Sequence, residues 1–307
     1  MSILKNNVNL GPKELREVIS NDSIIAPGVF NGITAIIAER VGFKAIYVSG
    51  SGIAGSMGLP DLSITTLNEV TEEVRKIVNV TKLPVIVDVD TGFGEVLNVI
   101  RTVRMMESAG ASAIHIEDQE LPKKCGHLPG KKLISEKEMA KKIIAAVESR
   151  KNDDFMIIAR TDARAVEGID GAIRRAGIYI DAGADMIFPE ALESYEEFAE
   201  FSKKINVPLL ANMTEFGKSP LINFSELKKL NYKIVIFPLT AFRASLLTVD
   251  EIYKELITKG TQKDILDKLM TRKRFYEIIG YDDYENEDKK ISEKGEKLFM
   301  NFYIPEK

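Results

Sequence analysis

The one cysteine of the chain stands in a segment crowded with charge. Lys123 and Lys124 come directly before Cys125, and Gly126 and His127 follow it. Because nearby cations stabilise a thiolate, Lys124 and His127 predict a pKa for Cys125 below its ordinary value. A thiol tuned in this way could donate and accept a proton near neutral pH. The competing interpretation is an inert cysteine on a basic loop, and the rest of the chain must decide between the two.

A second group of reactive side chains follows short apolar runs of the sequence. Carboxylates, arginines, hydroxyls and an amide stand where these runs end. In a parallel barrel the carboxyl ends of the strands meet on one face, so we expect these side chains to converge. Any one of them alone is better explained as a solvated loop residue or a helix cap. The converging set comprises Ser49, Gly50, Ser51, Asp88, Asp90, Glu117, Asp118, Arg160, Thr161, Asp162, Glu190, Asn212, Thr214, Glu215 and Arg243.

Two aspartates are the clearest candidates for a metal site. Asp88 and Asp90 are two residues apart, so on an extended strand end they face the same way. With Glu117 and Glu190 they form an all-oxygen set, which suits Mg²⁺ or Mn²⁺ better than zinc. A pair of capping residues is the structural alternative. The second histidine, His115, lies inside an apolar run and is expected to be a core or interface side chain.

Arginines near these acids indicate the ligand class. Arg160 and Arg243 carry forked guanidinium groups, which bind carboxylates in a bidentate way. Together with a divalent metal and the donors at Ser49, Gly50 and Ser51, they fit a small polycarboxylate. A phosphonate fits the same set, and the residue pattern leaves both ligands open.

The spacing of the apolar runs predicts the fold. Eight runs rich in valine and isoleucine alternate with amphipathic segments of helical period, which predicts a (β/α)8 TIM-type barrel with a buried parallel sheet. An open doubly wound sheet is the alternative, but residues 26–30 lack the glycine-rich phosphate loop that such a sheet usually carries. The runs are residues 24–26, 45–48, 85–87, 113–116, 156–159, 186–188, 209–211 and 234–237, and the clearest helical segments are 67–78, 96–109, 136–147 and 172–182.

The chain changes character after the eighth run. Residues 240–259 and 262–279 predict two helices, and residues 281–307 are charged with scattered aromatics. We predict a catalytic barrel over residues 1–260 and a C-terminal helical segment over 261–307. This segment is expected to pack on its own barrel or on a neighbouring subunit.

Composition narrows the function classes. The chain has 307 residues, a net charge of -4 and one cysteine, which argues against a disulfide framework and against general nucleic-acid binding. No apolar run reaches the roughly 18–20 residues that a membrane helix needs, and residues 1–11 lack the core of a signal peptide. We therefore expect a cytoplasmic protein that acts on a small molecule and has no nucleic-acid or membrane partner.

The segment around Cys125 resembles the signature of the isocitrate lyase and phosphoenolpyruvate mutase superfamily. The resemblance extends from residue 26 to residue 281 and rests on long strings. Among the members, the chain is most similar to the 2-methylisocitrate lyases. The matching strings are 47–50, 88–94, 116–119, 123–127, 159–163, 188–190, 212–217 and 261–262.

This resemblance implies a role for each matching residue. Mg²⁺ or Mn²⁺ would bind at Asp88 and Asp90, with Asp61 and Glu117 near the metal, and Cys125 would lie on a mobile loop. It also implies that the last barrel helix is exchanged between subunits of a homotetramer. The implied substrate contacts are Ser49, Gly50, Ser51, Cys125, Gly126, Arg160, Glu190, Asn212, Thr214, Arg243 and Arg272.

The implied reaction is cleavage of 2-methylisocitrate, a small tricarboxylate, to pyruvate and succinate in propionate catabolism through the methylcitrate cycle. Tyr47 is our candidate for the base that removes the C2 hydroxyl proton. Arginines and His127 would stabilise the charge of the departing enediolate. Cys125 would then protonate its carbon as a general acid.

Substrate choice depends on a few positions. In this superfamily the loop cysteine is similar to that of the lyases that release succinate, and the phosphonate enzymes lack it. Phe188 and Pro238 resemble the 2-methylisocitrate lyases, whereas Lys124 before the cysteine resembles the isocitrate lyases. The alternative is therefore isocitrate cleavage to glyoxylate and succinate, or dual specificity. An oxaloacetate decarboxylase, a phosphonate enzyme and a non-catalytic binding protein are disfavoured by the intact cysteine and acids.

Overall fold

Eight parallel strands close into a barrel in sequence order. The computed structural model describes residues 9–302, which divide into two compact units, and the barrel lies in the unit of residues 9–247. The predicted barrel is confirmed, and the open sheet is excluded. The strands are β1 (Ile24–Val29), β2 (Ile46–Val48), β3 (Val85–Asp88), β4 (Ala113–Glu117), β5 (Met156–Thr161), β6 (Met186–Pro189), β7 (Leu209–Asn212) and β8 (Tyr232–Phe237).

Helices fill the connections between the strands. The predicted helices at 67–78 and 96–109 have those bounds, and the other two predicted segments lie within longer helices or overlap them. The helices are α1 (Gly11–Asn21), α2 (Gly32–Val41), α3 (Gly50–Ser56), α4 (Leu67–Val78), α5 (Val96–Ala109), α6 (Glu136–Ser149), α7 (Arg164–Asp181), α8 (Tyr195–Lys204), α9 (Phe224–Lys229) and α10 (Thr240–Lys259).

Alternate residues of each strand serve two separate cores. On β3, Ile86 packs inside the barrel, whereas Val87 packs under the surrounding helices. This is the two-residue period of a strand. The next inward position, Asp88, therefore lies at the carboxyl end of the barrel, and Arg160 follows Ile158 on β5 in the same way.

A glycine, within Ala109-Gly110-Ala111, ends the helix before β4. Gly110 has φ +90° directly after α5, the left-handed conformation that glycine adopts without strain. A Cβ atom at this position would lie 2.6 Å from Cγ1 of Val78 in α4. The residue therefore permits both the sharp turn and the close packing of two neighbouring helices.

The second unit of the described chain covers residues 248–302 and is helical. It contains the end of α10, a 3-10 helix (Lys263–Lys268), α11 (Arg272–Ile279) and α12 (Tyr281–Phe302). The predicted single helix at 262–279 is wrong, because Thr271 has an extended backbone and its side chain caps a new helix at the amide of Arg274.

The predicted domain boundary at 260 lies at one end of α10, and the division between the units lies at 247 in the same helix. The boundary stays a prediction. Residues 303–307 of the predicted tail lie outside the described residues. Within residues 9–302, no helix has the length and apolar character needed to cross a membrane.

Candidate active site

A cavity of about 230 Å³ lies at the carboxyl ends of the strands. The cysteine loop, which we define as residues 118–135 between β4 and α6, forms one side of it. Lys123, Leu128, Pro238, Leu239 and residues 215–217 contribute to the wall. The predicted site residues that line the cavity are Tyr47, Ser49, Ser51, Asp61, Asp88, Cys125, Gly126, His127, Arg160, Glu190, Asn212, Thr214 and Arg243.

Asp90 and Gly50 do not line this cavity, but Asp90 forms an acidic pair with Asp88 beside Gly50. Asp90 has φ +48°, so it is on a tight turn, and the prediction of an extended strand end there is wrong. The turn still brings the two carboxylates together, because a Cβ atom on Gly50 would lie 3.0 Å from Asp88 Oδ2 and 3.5 Å from Asp90 Oδ1. Only glycine leaves this space open, and its N–H donates to Asp88 Oδ2 at 3.1 Å.

The two acids differ in their pKa values. Burial alone would raise the pKa of Asp88, but His115, Lys123 and Arg160 lower it to about 2. Burial raises the pKa of Asp90, and Asp88 adds to this against the opposing charge of Lys123. Asp88 is therefore an anion at neutral pH.

Lys123 neutralises part of this acidic group. Its buried ammonium donates to Asp61 and lies 2.9 Å from Asp90 Oδ1. Burial opposes its charge, but Glu117 and the surrounding aspartates raise the pKa of Lys123 well above its ordinary value. Lys123 is therefore a cation that joins the cysteine loop to the acids at the end of β3.

Arg160 is the centre of a buried cluster at the ends of β4, β5 and β6. Its Nε donates to Asp162 Oδ2 at 2.9 Å, and its Nη1 lies 3.3 Å from one oxygen each of Glu117 and Glu190. The guanidinium also stands over the ring of Phe188, 5.2 Å from its centroid. Burial works against the charge of Arg160, but these carboxylates raise its pKa well above the ordinary value.

The two glutamates of this cluster carry opposite pKa shifts. Burial raises the pKa of Glu117 well above its ordinary value, against the charges of Arg160 and Lys123. Burial also acts on Glu190, but Arg160 and His127 lower its pKa. Glu117 is fully buried below Arg160 and does not line the cavity.

The thiol of Cys125 does not have the predicted low pKa. Burial raises the pKa of Cys125, and Glu190 and Asp61 raise it further, against a backbone hydrogen bond from His127. Lys124 cannot compensate because it is exposed, with its backbone held by the side chain of Gln119. The predicted lowering is therefore wrong, and the group is a protonated thiol at neutral pH.

His127 is held by the segment that follows β7. The backbone N–H of Lys218, after β7, donates to its Nδ1 at 3.0 Å, so the proton of the neutral ring lies on Nε2. That nitrogen is 3.1 Å from Glu190 Oε1. A Cβ atom on Gly217 would lie 2.6 Å from Nδ1, so this glycine permits the close approach.

His115 is a buried core side chain, as expected, and it also contacts the site. Its Nε2 is 2.8 Å from the Tyr47 hydroxyl and 3.5 Å from Asp88 Oδ1. Burial lowers the pKa of His115 to about 4, so the ring is neutral at neutral pH. Burial, together with Asp88, raises the pKa of Tyr47 well above its ordinary value.

Two predicted substrate contacts, Arg243 and Arg272, have different surroundings. Arg243 lines the cavity and binds Glu215, through Nη1 at 2.6 Å to the carbonyl and 3.0 Å to the carboxylate. Its guanidinium also stands 5.5 Å from the ring centroid of Phe216. Arg272 belongs to the C-terminal unit, where it is the exposed first residue of α11, and its role stays a prediction.

Sequence reasoning missed Lys131 and gave no individual role to Asp162 and Glu215. Lys131 and Asp162 form a buried pair at 2.8 Å, and Glu215 holds Arg243. The sequence placed Asp162 and Glu215 on the rim, because they follow β5 and β7. No local signal distinguishes Lys131 from its neighbour Lys132, since only the folded loop buries the first and exposes the second.

The raised pKa of Cys125 leads to a pH prediction. Iodoacetamide reacts with the thiolate, so its rate with Cys125 should keep rising as the pH increases past 9, without a plateau below that pH. Mass spectrometry measures the rate directly because the chain has one cysteine. Glutathione under the same conditions is the control for the reagent. A plateau near pH 7 would show that the loop cations dominate after all.

Comparison with known proteins shows the family of the chain. The phosphoenolpyruvate phosphomutase family model matches residues 15–257. A 2-methylisocitrate lyase of Aeropyrum pernix is 57% identical over 92% of both chains. A 2-methylisocitrate lyase of Escherichia coli is 47% identical over 84% of this chain and 88% of its own.

Solved structures agree at the level of the fold and the sequence. A 2,3-dimethylmalate lyase, described as a member of the PEP mutase/isocitrate lyase superfamily, has a TM-score of 0.87 and 36% identity, covering 92% of this chain and 96% of its own. A phosphonopyruvate hydrolase complex with oxalate and Mg²⁺ has a TM-score of 0.82 and 31% identity, with 90% and 96% covered. The chain therefore belongs to the PEP mutase/isocitrate lyase superfamily, and within it to the family of the 2-methylisocitrate lyases.

Proposed function

We propose that this protein is a 2-methylisocitrate lyase that cleaves the C2–C3 bond of its substrate to give pyruvate and succinate. The observation that carries the proposal is the position of the Cys125 thiol on the wall of a cavity that also contains Asp88, Arg160 and Glu190. A proton donor, an acidic metal site and a carboxylate-binding arginine are the parts that this reaction requires. The 57% identity to a 2-methylisocitrate lyase supports the same substrate.

We propose a divalent cation, Mg²⁺, beside Asp88 and Asp90. The open space at Gly50 and the anionic Asp88 fit a small hard cation. Among residues 9–302, no group of three or more His, Cys, Asp or Glu side chains could hold a metal ion, so water and substrate oxygens would complete the coordination shell. That arrangement suits Mg²⁺, and Mn²⁺ accepts similar ligands. When bound, the cation would favour ionisation of the C2 hydroxyl.

Tyr47 is the proposed base for that hydroxyl. Its Oη is 2.8 Å from His115 Nε2, so a neutral histidine can accept the phenol proton when the ring nitrogen is unprotonated. The raised pKa of Tyr47 means that free tyrosinate is scarce in the protein alone. A divalent cation near Asp88 would act in the opposite direction on this pKa, since it offsets the neighbouring negative charge.

Cys125 is the proposed acid for the carbon of the departing succinate enediolate. Burial keeps the thiol protonated, which is the form that a donor needs. Arg160, fixed by carboxylates, would hold a substrate carboxylate and stabilise the charge that develops. We propose that His127 also stabilises this charge, because it lines the same cavity with its Nε2 next to Glu190.

Other residues that line the cavity are proposed to bind the substrate and to set which substrate is preferred. Ser49, Ser51, Asn212 and Thr214 present polar groups to the cavity. Pro238 also lines it, and this apolar group favours a substrate with a methyl group.

The products distinguish the candidate activities. Proton NMR of reactions with 2-methylisocitrate and with isocitrate, with and without Mg²⁺, should detect pyruvate and succinate from the first substrate. The expected rate with isocitrate is lower. Glyoxylate as the dominant product would establish the alternative, an isocitrate lyase. No product from either substrate would reject the proposed function.

A homotetramer with an exchanged C-terminal helix remains a proposal. It rests on the family resemblance and on the apolar side chains that α12 exposes within its own unit. Ile291, Leu298 and Met300 are each at least half exposed there. Contact with another subunit would cover such side chains. Light scattering of the full chain would measure the subunit number, and a monomer would reject this assembly.

A further inference from the structure

The cysteine loop has a stem that ties its two arms together. Gln119 and Leu133 form an isolated antiparallel bridge, and the N–H of Glu120 donates to the carbonyl of Lys132 at 2.9 Å. The last residues of the loop therefore run beside its first ones. This pairing brings Lys131, late in the loop, near Gly126 in its middle.

Lys131 is buried although it belongs to a loop. Its side chain is 1% exposed, and its ammonium donates to two acceptors. One is the carbonyl of Gly126, next to Cys125, and the other is Asp162 Oδ1 at 2.8 Å. The lysine thus joins the middle of the loop to the end of β5. A buried ammonium needs such partners, because an unpaired charge in the interior is costly.

Asp162 is a rigid anchor for this contact. Its backbone N–H donates to Asp118 Oδ1 at 2.9 Å, and its other carboxylate oxygen accepts from Arg160 Nε at 2.9 Å. Arg160 and Lys131 lower its pKa against the effect of burial, so it is an anion. The same carboxylate therefore holds both Arg160 and the lysine of the loop.

Gly126 packs closely on residues at the ends of two strands. A Cβ atom on this residue would lie 2.4 Å from Cγ of Glu190 and 2.6 Å from Nη2 of Arg160. The backbone beside Cys125 therefore packs directly on the residues that line the cavity. A shift of the Gly126 carbonyl would move the thiol with it, since the two residues are joined by one peptide bond.

We propose that Lys131 is a positioning residue that holds the cysteine loop closed, by joining the carbonyl of Gly126 to the carboxylate of Asp162. It acts through Cys125 and does not touch the reacting atoms. Because Asp162 also fixes Arg160, the position of the thiol is linked to the position of the arginine. This inference extends the proposed function, since it concerns how the same cavity is kept ready for proton transfer.

The test compares Lys131→Met with Lys132→Met in the full-length protein with Mg²⁺. Methionine keeps the length and apolar stem of lysine but lacks the ammonium. Lys132 is the matched control because it is the adjacent exposed lysine. Alkylation of Cys125 by iodoacetamide, followed by mass spectrometry, reports how accessible the loop leaves the thiol. Steady-state kinetics with 2-methylisocitrate separates kcat from KM.

Lys131→Met is expected to raise the alkylation rate about tenfold, because a lost charge-assisted hydrogen bond permits more frequent loop opening. The expected fall in kcat is about 10²-fold, with a smaller change in KM, because misplacement of the donor affects the chemical step more than binding. Lys132→Met should match the wild type in both measurements.

Equal alkylation rates and equal kcat values for the two variants would overturn the proposal. If circular dichroism shows that Lys131→Met does not fold, Lys131→Gln replaces it, since a neutral amide retains polar contacts at the buried site. The same accelerated alkylation is then expected. The alkylation result does not depend on lyase activity, so an enzyme inactive on 2-methylisocitrate would reject the proposed function and still test Lys131.

Discussion

Cys125→Ser is expected to lower kcat by about 10² to 10⁴-fold, the usual contribution of a positioned general acid. A serine hydroxyl has nearly the shape of the thiol but is a much weaker acid, so it cannot supply the proton at the same rate. Binding should change little, because Arg160 and the acids at the end of β3 remain in the cavity. Steady-state kinetics would measure the loss, and calorimetric titration with succinate would measure binding.

Cys125→Ala provides the matched comparison. If the thiol acts as a proton donor, the serine and alanine variants should be impaired to a similar extent. If the side chain only fills space in the loop, serine should retain much more activity than alanine. Near-normal turnover by Cys125→Ser would contradict the general-acid assignment.

Asp88→Asn is expected to weaken Mg²⁺ binding and to lower kcat/KM by about 10³-fold, since a metal ion acting as a Lewis acid contributes several kcal/mol. The pKa of about 2 means that the wild-type side chain is an anion under all ordinary assay conditions. The substitution removes that charge while keeping the size of the side chain. Titration with Mg²⁺ by calorimetry and kinetics at saturating Mg²⁺ would measure the two effects.

Asp170→Asn is the control for a general loss of negative charge, because Asp170 is exposed on α7. Thermal unfolding must accompany the measurement. The two carboxylate oxygens of Asp88 accept backbone hydrogen bonds from Gly50 and Asp90, and asparagine keeps only one acceptor oxygen for the two. Metal affinity should therefore be compared per folded molecule. Unchanged Mg²⁺ affinity in folded Asp88→Asn would remove Asp88 from the proposed metal site.

The barrel and most of the rim could be predicted from sequence because strands repeat every two residues. An inward core residue such as Ile86 or Ile158 is followed two positions later by Asp88 or Arg160, so the side chain that reaches the cavity is set by the local period. The bounds of α5 were equally accessible, since Gly110 supplies a left-handed stop. Both features depend on neighbours along the chain.

The C-terminal region shows the limit of this periodicity. Residues 262–279 have a composition that suits helix, yet Thr271 divides them by capping a new one. A capping hydrogen bond competes locally with continuation of a helix, and composition does not reveal which of the two prevails.

The sequence by itself determined the barrel, the cavity-facing ends of its strands and the presence of a thiol beside them. Tertiary structure alone decided which lysines of the cysteine loop act on the site. Lys123 points to the acids and Lys131 to Asp162, whereas Lys124 is exposed. It also reversed the predicted pKa shift of Cys125, because desolvation depends on what packs around the thiol and charge acts through distance. Neither quantity is contained in the order of residues along a loop.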